Sequence, residues 1–238
     1  MLEEIKKHYE NLLGFSPRRS VLRFLDNDSW DNMCVGLGQN PNSTGIFIPR
    51  DLTARVNKDS SDYPLNLFHE YFGHGLFYEY SQIGRFLCNI ERRLMEDEKA
   101  RFRGKSFTLE ELLDFRKENP HFRFLRNQEN RHLGIYEIFA IWTERYLCDL
   151  LNIKDKFEQK YGALSKENRA ELERLEEFRK SYGDLALFYE FGMPRYPTQE
   201  RLLSLLPRVL GGNLGEPKLI LIYGSRRAYS DIDLFIVS

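Results

Sequence analysis

The sequence predicts an α+β fold that is mostly helical, with a small edge sheet and a short C-terminal β element. Three observations predict it. Long stretches repeat apolar residues at helix spacing, only one short apolar run before residue 200 has strand character, and two β-type runs lie at 218–223 and 232–237. Leu2, Ile5, Tyr9, Leu12 and Leu13 mark a first helix that breaks at Gly14 and Pro17. A short segment with Val21, Leu22, Phe24 and Leu25 follows, and 36–44 is rich in Gly, Asn and Pro, the chemistry of turns. Residues 45–48, closed by Pro49, read as an edge strand, since Pro cannot donate to a central ladder. Pro64 opens a long helix, because a first turn has no use for the missing N–H, and 65–87 is apolar on most faces, as a buried helix is. Residues 89–118 are charged and read as two solvated helical pieces broken near Gly104. A second buried helix is expected over about 134–151, with Ile135, Ile138, Phe139, Trp142, Tyr146 and Leu147 apolar. Residues 154–191 are helical and charged, and Pro194 and Pro197 end that region. A helix over about 198–210 and a Gly-rich loop lead to the two β-type runs.

Composition excludes several classes of function. Lys+Arg number 35 against 36 Asp+Glu, for a formal charge of -1, so a generic electrostatic grip on nucleic acid or an anionic membrane is not expected. No apolar run approaches the roughly 18 residues of a membrane helix, and no secretory signal is read at the N-terminus. Cys34, Cys88 and Cys148 are far apart and lack CxxC spacing, which fits buried thiols in a reducing compartment, the cytoplasm.

The chemically loaded segment is His69-Glu70-Tyr71-Phe72-Gly73-His74. Two imidazoles beside a carboxylate are what a catalytic zinc needs: the rings bind the ion, and the Glu activates a water on it. The usual HExxH spacing sets both rings one turn apart, but here one more residue intervenes. On a regular α-helix, positions i and i+5 point about 140° apart, so the two could not share an ion. The pattern therefore requires a π-type bulge, a distortion found at functional sites, and Gly73 and Gly75 make it cheap.

This segment resembles the HExxGH signature of the dipeptidyl peptidase III family of zinc metallopeptidases, at every defined position. The resemblance implies that His69 and His74 bind zinc, that Glu70 is the general base, and that a downstream Glu on an E-x-x-A helix completes the ligands. Glu137-Ile138-Phe139-Ala140 offers that pattern on the second buried helix, with Glu144, two turns on, as the competitor. The similarity covers about residues 45–150 in a far smaller chain, so a gluzincin-like site is implied and a dipeptidase specificity is not. A strand ahead of the motif helix also suits a zincin, whose edge strand binds extended peptide. For the group facing the substrate carbonyl oxygen, His132, Tyr136 and Tyr196 are open candidates.

A second signal lies near the C-terminus. Tyr223-Gly224-Ser225 and Asp231-Ile232-Asp233 look like the core of DNA polymerase beta-type nucleotidyltransferases. That resemblance implies nucleotide phosphate on Gly224 and Ser225 and magnesium on Asp231 and Asp233, which strand alternation sets on one face. Ser225 and Asp231 are closer than is usual in that family, and the sequence holds no later strand for its third carboxylate. A remnant completing a sheet, or one part of a fusion, is therefore expected.

Together these readings expect a zincin-like metallopeptidase domain over 1–195 and a partial nucleotidyltransferase-like segment over 196–238. The expected function is zinc-dependent hydrolysis of a peptide or protein substrate. The alternatives are a magnesium-dependent nucleotidyltransferase-like protein and a non-catalytic metal-binding protein.

Overall fold

The computed structural model describes residues 1–37, 40, 42–193, 219–223 and 233–237, with backbone alone for 37, 129–133, 189 and the two C-terminal strands. Two compact units divide the chain: Pro17–Met193, and Met1–Ser16 with Pro194–Ser238. The fold is mostly helical with a small mixed sheet, in agreement with the class expected from sequence.

In the larger unit, β1 (Val21–Leu25), β2 (Gly45–Ile48) and β3 (Thr53–Asn57) form a three-stranded sheet in the order β1-β3-β2. The helix α2 (Asn27–Leu37) follows β1, and β1 runs parallel to β3, from Val21 opposite Thr53 to Leu25 opposite Asn57. β2 pairs antiparallel with β3, Gly45 opposite Val56 and Ile48 opposite Thr53. Pro49 starts the 3-10 turn Pro49–Asp51 between them. The expected edge strand is thus β2. The central strand β3 escaped the sequence reading because the alternation in Thr53-Ala54-Arg55-Val56-Asn57 rests on only two apolar residues, Ala54 and Val56, one of them small.

The helices α3 (Tyr63–Leu67), a π-helical segment (Phe68–His74) and α4 (Gly75–Tyr80) follow without a break. The single buried helix expected over 65–87 ends instead at Ser81, whose hydroxyl accepts from Gly84 N at 2.9 Å and so caps α5 (Gln82–Phe102). Thr108 and Glu111 form a capping box that opens α6 (Leu109–Glu118). Asn119 caps α7 (Pro120–Leu150), which starts well before the expected position near residue 134. Its first half is polar, and apolar periodicity alone did not reveal it. The helices α8 (Lys154–Tyr161), α9 (Lys166–Tyr182) and α10 (Asp184–Glu190) complete the unit. Among the described residues no helix is long and apolar enough to cross a membrane.

The core of this unit lies where α7 meets the π-helical segment, α4, α9 and α10. Phe68, Phe72, Phe139, Trp142 and Phe188 are fully buried. Phe139 packs at 6.0 Å from Phe77, and Trp142 at 5.4 Å from Phe188, between ring centroids. Each such side chain stabilises the fold by about 1.5–3 kcal/mol. Buried Glu79 on α4 accepts from the backbone N–H groups of Arg18, Arg19 and Ser20 at 2.9 to 3.2 Å, and from Ser20 Oγ at 3.0 Å. Those bonds compensate a carboxylate taken out of water and tie the entrance of β1 to the motif helix.

In the smaller unit, α1 (Leu2–Leu13) ends at Gly14, which takes the left-handed conformation with φ 83°. β4 (Leu219–Tyr223) and β5 (Asp233–Val237) pair antiparallel, from Leu219 opposite Val237 to Tyr223 opposite Asp233. Gly224, Ser225 and Asp231, and the helix expected over 198–210, lie outside the described residues. Asp233 opens β5.

Candidate metal centre

The deformation that the five-residue spacing requires is present. Gly75 N–H donates to Glu70 O, an i to i+5 bond, and Phe68–His74 is π-helical. Residues five apart then lie on one side of the helix. The His69 and His74 rings stand 4.7 Å apart, centroid to centroid, at 86°.

The same segment brings in the third candidate ligand. A Cβ on Gly73 would stand 2.7 Å from Ala140 Cα and 2.8 Å from Ala140 Cβ, so α7 can cross this closely only over a glycine. Glu137, nearly one turn before Ala140 on α7, is thereby carried to the two rings. Its Oε2 lies 3.5 Å from His69 Nε2, and its Oε1 lies 3.5 Å from His74 Nε2. Ligands about 2.1 Å from a tetrahedral ion are separated by about 3.4 Å, close to each of these two gaps, which run to different oxygens of Glu137. Among the described residues, His69, His74 and Glu137 form the group whose ligand atoms, all within 4.8 Å of one another, could hold a metal ion.

Glu144, the competitor for the ligand role, has a different place. It is fully buried, and its Oε1 lies 2.5 Å from His69 Nδ1, on the ring edge away from Glu137. Lys160 Nζ on α8 donates to both Glu144 oxygens at 2.7 Å. Sequence reasoning found Glu144 through the helix face it shares with Glu137 but missed Lys160, since a contact across two helices leaves no local pattern.

The donor set and its surroundings fit a metal. His74 turns Nε2 to Glu137 and keeps Nδ1 buried without a hydrogen-bond partner; burial, reinforced by the charge on His69, pushes that ring down to about 3. His74 is therefore neutral, as a ligand must be. Burial also works against a proton on His69, but the charge of Glu144 and the bonds to Glu137 and Glu144 outweigh it and lift the ring to about 10. A metal would have to displace the Nε2 proton, with Nδ1–H remaining on Glu144. Burial raises Glu70 to about 7. For Glu137 burial acts in the same direction, but the His69 ring overrides it and holds the carboxyl below its usual range.

A cleft of about 480 Å³ opens over these groups. One wall is β2, through Gly45, Ile46 and Phe47, and Tyr78, Glu91 and Tyr136 line the remainder. Phe47 stacks on Tyr78 at 5.4 Å and 21°, and Tyr136 meets the His74 ring at 5.7 Å and 62°. A Cβ on Gly45 would stand 2.8 Å from Glu70 Cγ and 2.9 Å from its Oε1, so the strand lies directly against the proposed base. Of the candidates for facing a carbonyl oxygen, Tyr136 lines the cleft, whereas the His132 side chain and Tyr196 lie outside the described residues.

The motif, its deformed helix and the converging carboxylate define a chain with a candidate metal site under an edge strand. Compared with models of known families, with curated proteins and with solved structures, the chain matches none.

Proposed function

We propose that the chain is a zinc-dependent metallopeptidase or amide hydrolase of gluzincin-like type. One observation carries the reading: the π-helical turn sets His69 and His74 on one side, with Glu137 3.5 Å from both rings. Two imidazoles and one carboxylate would hold the ion, and that donor set favours zinc over magnesium or calcium, which prefer oxygen ligands. Bound zinc would supply Lewis acidity, lowering the pKa of water and polarising a carbonyl.

The other roles belong to the chain's own groups. Glu70, buried and raised to about 7, is suited both to take a proton from the attacking water and to deliver it to the departing amine as the C–N bond breaks. Among the described residues β2 pairs only with β3, and its residues line the cleft. An extended peptide can add to its other edge, which supports a peptide or protein substrate. Tyr136 is the described candidate for donating to the carbonyl oxygen. The three cysteines are free and buried, which supports a reducing, cytoplasmic setting.

Glu70→Gln tests the mechanism. The variant should keep zinc and lose about 10²–10⁴-fold in peptide cleavage, the contribution of a general base, whereas His74→Ala should lose both zinc and cleavage. Full activity in Glu70→Gln would refute the proposed role.

A further inference from the structure

Resting on the metal reading above, we infer that Lys160 is a positioning residue for the metal site, acting through Glu144 on the His69 ring. Lys160 belongs to α8, outside the two elements that supply the ligands. Its Nζ is 2.7 Å from Glu144 Oε1 and 2.7 Å from Oε2, so a single ammonium bridges both oxygens of a carboxylate that is fully buried. A rotation of that carboxylate would lengthen one of the two bonds. Oε1 is shared with His69 Nδ1 at 2.5 Å, and the chain of contacts runs from α8 through α7 to the π-helical segment.

The contact with Nδ1 has a direct consequence for ligation. A ring whose Nδ1–H is committed to a carboxylate presents Nε2 as its lone pair, and Nε2 is the atom 3.5 Å from Glu137. Glu144 without its cation would be a fully buried carboxylate answered by a single imidazole N–H, a costly arrangement. Lys160 supplies the permanent compensation, so Glu144 can hold the ring in one tautomer and one orientation with the metal in place. The Lys160 side chain is 35% exposed, so an arginine has room there and can grip the same two oxygens.

The experiment is zinc titration of the full chain and of its Lys160→Met and Lys160→Arg variants, with the cobalt-loaded visible spectrum as a report on ligand geometry and the melting temperature of each metal-free form as a control. Removing an outer partner of a metal ligand weakens binding by about 10–100-fold. Lys160 stands one step beyond that partner, so a loss at the lower end, about tenfold, is expected for Lys160→Met with an altered cobalt spectrum, and Lys160→Arg should recover both. Zinc affinity and cobalt spectrum unchanged in Lys160→Met would overturn the inference. So would equal losses in both variants that follow their metal-free melting temperatures, because a merely structural contact behaves in that way. Absence of zinc binding by the unaltered chain would overturn the metal reading itself, an outcome distinct from either.

Discussion

At the scale of single residues, the proposed site depends on a position that carries no functional group. Gly45 leaves room for Glu70, whose Cγ would meet an added methyl at 2.8 Å. Gly45→Ala should therefore push the base off its place while leaving the zinc ligands on the π-helical segment and α7. The expected outcome is a fall in cleavage rate of at least about tenfold, near 1.4 kcal/mol of barrier, with zinc stoichiometry unchanged; steady-state kinetics beside metal analysis checks it. Loss of zinc in proportion to activity would count against this assignment. That His69 and His74 could meet was legible in the sequence, because two rings five apart face one point only on a bulged helix; Glu137 was singled out by the E-x-x-A pattern that the family resemblance implies, beside Glu144. Gly45 was not, since its importance comes from an approach across the cleft.

At the scale of elements, the crossing of α7 over Gly73 brings the candidate ligands together. A methyl at residue 73 would stand 2.7 Å from Ala140 Cα, a backbone atom that cannot rotate away. Gly73→Ala should force the helices apart and cost about 1–3 kcal/mol, the usual penalty of overpacking. It should also separate Glu137 from the rings and weaken zinc binding. Thermal melting and zinc titration check the two effects, and a variant as stable and as zinc-avid as the parent would contradict the role given to the crossing. The π-helical segment was readable in advance, because His69 and His74 five apart cannot face one ion on a regular helix. The E-x-x-A pattern also has a physical meaning here: Ala140 is the small residue at the crossing, and Glu137 stands nearly a turn from it. The start of α7 at Pro120 and the strand β3 were less legible. The first half of α7 is polar, and β3 carries only Ala54 and Val56 as apolar residues, too short an alternation to stand out from the polar residues around it.

At the scale of the whole molecule, the candidate ligands come from two elements far apart in sequence, so a bound metal would tie the larger unit together. An ion at a hundred times its dissociation constant stabilises the folded form by about 2.7 kcal/mol. For a unit of this size each kcal/mol shifts the midpoint by about 2–4 °C. Chelation of the zinc-saturated chain should accordingly lower its melting temperature by about 5–10 °C, and the same treatment of His74→Ala should not. Calorimetry with and without chelator checks this; equal shifts in both proteins would show that the chelator acts elsewhere. The class of fold was legible because helical periodicity dominates the chain, and the antiparallel pairing of β4 and β5 agrees with the β-type runs expected there. The Gly224, Ser225 and Asp231 constellation falls outside the described residues, and only the backbone of Asp233 is placed, at the start of β5.

The most direct test of the central claim is the zinc content of the purified chain by elemental analysis, beside a His69→Ala control. One zinc per chain, lost in the control, is the predicted result. No zinc after reconstitution of the folded, unaltered chain would contradict the account, and the meeting of His69, His74 and Glu137 would then be a packing arrangement without a metal.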